Sequence, residues 1–189
     1  MSDSTFWRIL FWIWIGSETL IALVTRTRRR SGTTQDRGSM LLLWVVIFCS
    51  ISAAVWTSIL HPQNMFVGAA WPGPASTALL ALGLVIRWTA IITLGKSFSV
   101  NVAIHKGQTL MRSGIFRFVR HPSYTGMLLI FAALGMNLRN WESLAIVIIF
   151  PVAALLYRIH VEEAALSGAF GADYADYSAT TKRLIPGIY

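Results

Sequence analysis

The sequence is poor in charge, poorer still in acidic groups, and almost without cysteine. Only 13% of its 189 residues are charged, against about 25% in an ordinary soluble domain, while 55% are hydrophobic. A soluble domain of this size buries roughly 70% of its surface, so this composition would leave broad apolar patches facing water. A water-soluble fold is thereby excluded, and a single integral membrane domain over residues 1–189 is expected. The lone Cys49 excludes an intramolecular disulfide and a cysteine-cluster metal site. Gly-x-Gly-x-x-Gly, P-loop and His-Glu-x-x-His patterns are all missing, which removes the common phosphate-cradle and zinc-helix signatures. His121, His160 and Glu163 are the one set considered for a metal, and none is expected there.

Acidic residues number 8 against 16 Lys and Arg, a formal charge of +8. Such a balance could serve nucleic acid, so the placement of the charges decides. The apolar residues fall in five blocks: Phe6 to Val24, Met40 to Leu60, Ala75 to Gly95, Pro122 to Leu138 and Trp141 to Tyr157. The first three reach the roughly 20 residues of a spanning helix. The last two are shorter and nearly adjoining, which predicts a short antiparallel hairpin. Backbone amides in a bilayer need internal partners, so an all-α fold of five transmembrane helices is expected rather than strands. No basic region precedes the first block, which is read as a retained span rather than a signal peptide.

Thirteen basic residues then fall after blocks one, three and five, and the loop from His61 to Pro74 has none. By the positive-inside rule the N-terminus lies outside and the C-terminal tail in the cytoplasm. The charge is the asymmetry of a membrane protein meeting lipid, and no nucleic-acid partner is expected. Trp71-Pro72-Gly73-Pro74 reads as an interfacial aromatic and a turn before block three. Arg87, inside block three, carries no assigned role.

Two stretches are too long for connectors. The first, Lys96 to His121, mixes basic, aromatic and glycine residues and ends in Arg120-His121-Pro122-Ser123-Tyr124. Proline favours a first helical turn, so Pro122 should open block four. The exposed amides there suit an anion flanked by His121 and Tyr124, although spacing alone favours interface anchoring by the same residues. The second stretch is the tail from Arg158. Leu166, Phe170, Tyr174 and Tyr177 recur at one helical face, predicting a C-terminal helix on the cytoplasmic surface. Arg158 and Glu162 stand four apart, either as a simple ion pair or as functional groups at the membrane edge.

Together the two stretches resemble the isoprenylcysteine carboxyl methyltransferase family, an all-α family of multi-pass membrane enzymes, over Leu94 to Tyr189. The resemblance rests on Gln108-Thr109-Leu110-Met111-Arg112-Ser113-Gly114-Ile115-Phe116, on Arg120-His121-Pro122-Ser123-Tyr124-Thr125-Gly126, and on Arg158, Glu162-Glu163-Ala164-Ala165-Leu166, Phe170-Gly171-Ala172-Asp173-Tyr174-Ala175-Asp176-Tyr177 and Pro186. Gln108 stands where the family has His, and Phe116 where it has Tyr. The second change removes a hydroxyl from the expected cofactor site.

The resemblance implies S-adenosylmethionine as methyl donor and a lipophilic acceptor, foremost the carboxylate of a prenylcysteine-like or other lipid acid. It assigns the cofactor to His105, Gln108, Thr109, Leu110, Met111, Phe116, His121, Pro122, Ser123, Tyr124 and Glu162. The region as a whole would be 96–121 together with 158–189. Arg158 would bind the acceptor carboxylate; an amine or phenol acceptor would need its proton removed, which makes Glu163 or His160 the candidate base. The closing Pro-Gly-Ile-Tyr also resembles the end of NADPH-dependent membrane sterol reductases, which leaves a reductase, or a non-catalytic membrane scaffold, as alternatives.

Overall fold

The computed structural model describes residues 3–27, 33–34, 38–64, 70–95, 98, 103–104 and 109–189. Among the described residues, six α-helices carry the fold: α1 Asp3–Thr27, α2 Ser39–Leu60, α3 Pro72–Leu94, α4 Pro122–Asn137, α5 Trp141–Phe170 and α6 Ala172–Thr180. A two-residue antiparallel ladder joins β1 Thr33–Thr34 to β2 Ala103–Ile104. Pro72 falls in the first turn of α3, so the proline cluster belongs to the helix start rather than to a turn before it. Trp71 precedes it, about half exposed, as an interfacial aromatic would be.

Two apolar cores hold the helices. Trp7 and Trp14 of α1 pack with Leu80 and Leu84 of α3 and Ile130 and Ala133 of α4. Leu43 and Ile47 of α2 pack with Met127 and Phe131 of α4 and Ala154 and Leu155 of α5. α4 belongs to both cores and is therefore the central element. Its approach to α3 is glycine-mediated: a Cβ on Gly83 would lie 2.7 Å from the Gly126 carbonyl oxygen, and one on Gly126 would lie 2.6 Å from that of Gly83. Only residues without a side chain allow the two backbones to meet there.

Among the described residues, four helices are long and apolar enough to cross a membrane: α1, α2, α3 and α5. The fifth block becomes part of the 30-residue α5, and the fourth becomes α4, which has 16 residues. At about 1.5 Å per residue α4 reaches about 24 Å, short of a hydrocarbon core of about 30 Å. The cause is local. Pro122 sets its start, and a turn at Leu138, Arg139 (φ 57°) and Asn140 sets its end. Asn140 then opens α5 by accepting from the Ser143 amide at 3.0 Å, and donates to the His61 carbonyl at 2.9 Å. His61 Nδ1 in turn lies 2.5 Å from Glu142 Oε2.

The tail also departs from the expected helix. α5 runs unbroken past Arg158 and Glu163 to Phe170, and Gly171, with φ 52°, separates it from α6. The stripe of Leu166, Phe170, Tyr174 and Tyr177 is thus divided between two helices. Gly171 adopts a backbone conformation that a side chain disfavours, and the turn it makes folds α6 back towards the same cavity wall.

Candidate active site

The start of α4 is held from three sides. The Arg120 and His121 amides donate to the carbonyls of Lys182 and Arg183 at 2.7 and 2.9 Å, so residues 181–184 lie alongside 119–121. Thr125 Oγ1 donates to the Leu184 carbonyl at 2.8 Å. Tyr177 of α6 donates its hydroxyl to the Phe116 carbonyl at 2.6 Å, fixing the 3-10 turn Gly114–Arg117. Burial pushes the Tyr177 hydroxyl up to about 12, so it remains a neutral donor.

Glu163 is a hub. Arg120 donates to its Oε1 through Nε at 2.9 Å and Nη2 at 2.8 Å, His121 Nε2 lies 3.3 Å away, and Arg183 Nε reaches Oε2 at 3.0 Å. Arg120 also donates to the carbonyls of Ser178 and Thr181. The bond to Glu163 raises the Arg183 pKa above its ordinary value. This carboxylate binds α5, the start of α4 and the chain end into one unit.

Its neighbour Glu162 has a different environment. Tyr124 donates its hydroxyl to Glu162 Oε2 at 2.8 Å, and the Tyr124 ring stacks on His121 at 5.6 Å between centroids. Arg158 lies behind Tyr124, its Nε donating to that hydroxyl at 3.4 Å and its Nη1 to Ser39 Oγ at 2.6 Å. At 1% exposure Arg158 is a buried cation inside this polar chain.

These groups border a partly open cavity of about 1220 Å³ of non-atom space, its mouth included. One part of its wall is apolar, from Ile21 and Ala22 of α1, Met40, Leu43 and Trp44 of α2, and Met127 of α4. Another part comes from Leu110, Met111, Phe116, Phe170, Tyr174 and Tyr177. His121, Pro122, Ser123, Tyr124 and Glu162 also line it, and so do Glu18 and Arg87. Arg87 donates to both carboxylate oxygens of Glu18, by Nε and by Nη2 at 2.7 Å, and to Ser123 Oγ at 2.8 Å by Nη1.

Of the residues singled out in the sequence, Thr109, Leu110, Met111, Phe116, His121, Pro122, Ser123, Tyr124 and Glu162 meet around this one cavity. Arg158 and Glu163 stand behind its wall, bonded to residues that line it. His105 and Gln108 lie outside the described residues. His160 is exposed and outside the cavity lining. Ser39, the Glu18–Arg87 pair and the hub role of Arg120 emerge only from the fold. Isolated charges within spans were the available signal for Glu18 and Arg87; Ser39 carries none.

The cavity suits a donor such as S-adenosylmethionine. The Tyr174 hydroxyl, on a residue 3% exposed, has no hydrogen-bond partner among the described residues and lies in the wall. Burial and the nearby Glu163 charge raise its pKa, so it stays protonated. Phe116, Met111 and Tyr177 offer flat or soft apolar surface to an aromatic base, and Glu162, with 31% side-chain exposure, offers negative charge to a cation.

Comparison with known proteins bears on the same region. Residues 76–168 match the family model of the Isoprenylcysteine carboxyl methyltransferase (ICMT) family. Protein-S-isoprenylcysteine O-methyltransferase A of Arabidopsis thaliana is 31% identical over 122 residues, 62% of this chain and 61% of the plant protein. The Schizosaccharomyces pombe Protein-S-isoprenylcysteine O-methyltransferase is 34% identical over 116 residues, 60% of this chain and 49% of the yeast protein. The solved structure described as the eukaryotic intramembrane Ras methyltransferase ICMT superposes with a TM-score of 0.58 at 26% identity, covering 79% of this chain and 51% of that one. The matches thus span about half to three fifths of these relatives' lengths. The sterol-reductase alternative draws no support from them.

Proposed function

We propose that this chain, a relative of the isoprenylcysteine carboxyl methyltransferases across residues 76–168, is a membrane methyltransferase that uses S-adenosylmethionine to methylate the carboxylate of a lipophilic, prenylcysteine-like acid. One observation supports it beyond the relationship itself. A single cavity is lined both by apolar side chains of α1 and α2 and by Glu162 with Thr109, Leu110, Met111 and Phe116. A lipid acid and a polar cationic donor need such a shared space.

S-adenosylmethionine supplies an electrophilic methyl group on a sulfonium. Thr109, Leu110, Met111 and Phe116 form the wall that takes its adenine end, with His105 and Gln108 assigned to the same part of the site. His121, Pro122, Ser123 and Tyr124 take the methionine end. Glu162 provides negative charge, and Tyr124 holds that carboxylate in place at 2.8 Å. An acceptor carboxylate is already ionised, so no residue has to remove a proton. The chain's contribution is therefore orientation and exclusion of water.

Arg158 supplies the positive charge that orients the acceptor carboxylate and is itself fixed by Ser39. Glu163, engaged by Arg120, His121 and Arg183, positions His121 rather than taking a proton. In the membrane the N-terminus is outside, while α6 and the cofactor region face the cytoplasm. That orientation follows the basic residues and lets the donor arrive from water while the acceptor enters from lipid. Isothermal titration of the detergent-solubilised chain with S-adenosylmethionine and its demethylated product tests the donor. Mass spectrometry after incubation with labelled donor and a farnesylated cysteine tests the acceptor. Absence of binding by the folded chain overturns the reading.

A further inference from the structure

The stretch just before α4 and the stretch just after α6 carry positive charge without acidic residues of their own. No Asp or Glu occurs between Asp36 and Glu142, or after Asp176. Several of the cations there are drawn to carboxylates elsewhere in the fold: Arg112 to Asp173, and Arg120 and Arg183 to Glu163. Arg117 and Lys182 are different. Both are exposed, and among the described residues neither has a carboxylate within ion-pair distance. Neither lines the cavity, so the proposed reaction leaves their charge unused.

The fold sets the two stretches side by side. Val119 pairs with Lys182 in a parallel bridge, and the Arg120 amide donates to the Lys182 carbonyl at 2.7 Å. Arg117 comes just before that bridge, its guanidinium carbon 4.5 Å from the centre of the Phe118 ring. Phe118 is 52% exposed, and the turn after Leu184 leaves Ile185 and Ile188 at 49% and 74%. Pro122 opens the apolar α4 directly afterwards, so this edge sits where the chain enters the helix bundle. Exposed apolar side chains beside unpaired cations suit neither water nor hydrocarbon alone. They suit the membrane interface, where acyl chains meet charged headgroups. A guanidinium and an ammonium are together the donors that a phosphate takes.

We infer that Arg117 and Lys182 bind the phosphate headgroup of an anionic membrane phospholipid, with Phe118, Ile185 and Ile188 set among its acyl chains. The lipid is neither methyl donor nor acceptor; it is an activator. The Lys182 and Arg183 carbonyls accept from the Arg120 and His121 amides, so a headgroup seated on Lys182 steadies the turn that carries His121. The site itself is independent of the donor reading above, and only its effect on His121 rests on that reading.

Native mass spectrometry of the detergent-solubilised chain, offered phosphatidylglycerol and phosphatidylcholine of identical acyl chains, tests the site without turnover. The intact chain should retain phosphatidylglycerol in preference. Arg117→Gln with Lys182→Gln should lower that preference by about tenfold or more, since each basic residue near an anionic surface contributes about fivefold in binding. Either single substitution should act in the same direction if the double variant fails to fold. Arg28→Gln with Arg29→Gln removes equal charge from the segment after the first span and should leave the preference in place. Equal retention of the two lipids, or equal loss in both double variants, overturns the site. Displacement by glycerol phosphate at matched concentration would make it a site for free phosphate and overturns the lipid assignment. In nanodiscs, adding phosphatidylglycerol to phosphatidylcholine should tighten S-adenosylmethionine binding about fivefold in the intact chain, and not in the Arg117 and Lys182 variant. Cofactor binding that ignores the lipid overturns the activating role. No cofactor binding in either membrane, with the lipid preference intact, overturns the donor reading and upholds the site.

Discussion

Tyr124 and Glu162 meet across the seam between α4 and α5, hydroxyl to carboxylate at 2.8 Å. The bond fixes a cavity-lining negative charge that belongs to a different helix from the His-Pro-Ser-Tyr turn. Tyr124 also accepts from Arg158, so its hydroxyl relays order from a buried cation to the cavity surface. Tyr124→Phe removes that relay and little else. A hydrogen bond to a charged group contributes about 1.5–3 kcal/mol, so kcat/KM should fall by about ten- to a hundredfold. Steady-state methylation with the farnesylated acceptor, alongside calorimetric cofactor binding, measures it. Unchanged kinetics would remove Tyr124 from the site.

Arg158 offers a sharper separation of roles. Its Nη1 donates to Ser39 at 2.6 Å and its Nε to Tyr124. Arg158→Lys keeps a charge but loses the planar fork that reaches both partners at once. Turnover should drop at least about a hundredfold, while cofactor affinity moves much less, because the residues assigned to the donor stay in place. Parallel turnover and titration experiments decide; equal loss in both would make Arg158 a structural residue of the whole site.

Much of this was legible in the sequence, and for identifiable reasons. Long apolar runs define α2, which has no charge, and α3, broken only by Arg87, and Pro122 marks the start of α4 because proline suits a first turn. The motif residues from Thr109 to Tyr124 and Glu162 converge because they bracket short connections, so chain proximity brings most of them together. What could not be read depends on tertiary contact. The reach of α5 through Arg158 to Phe170 was hidden because its charges looked like the end of a span. The Glu18–Arg87 pair joins residues 69 apart, and Ser39 and Arg158 are separated by 119 positions. No periodicity reports a partner at that distance.

The glycine contact between α3 and α4 predicts a steric effect. A methyl at position 83 would stand 2.7 Å from the Gly126 carbonyl oxygen and 2.8 Å from Ile130 Cγ1. Backbone cannot yield as a flexible side chain can, so Gly83→Ala should cost about 1–3 kcal/mol through overpacking. Thermal unfolding in detergent should show a lower midpoint. By separating α3 from α4 the substitution should also loosen the Arg87 bond to Ser123.

Tyr177 predicts the alkaline limit. In the fold its pKa rises to about 12 because burial disfavours the phenolate, whereas an unfolded chain has a tyrosine near about 10. Between these values the unfolded state has released a proton that the folded state retains, so stability decreases as pH rises. The contribution is fully present below about pH 10 and is lost as pH climbs through about 12. Tyr174, raised in the same direction, adds to the effect. Tyrosinate absorbance should therefore show a late-titrating class in the folded protein that merges with the ordinary class on denaturation. Tyr177→Phe should remove one member of that class and flatten the fall in unfolding midpoint above about pH 10. The same change deletes the 2.6 Å bond to the Phe116 carbonyl, so at neutral pH it should weaken cofactor binding by loosening the turn that carries Phe116. A folded chain in which all tyrosines titrate together would show that α6 does not close over this wall.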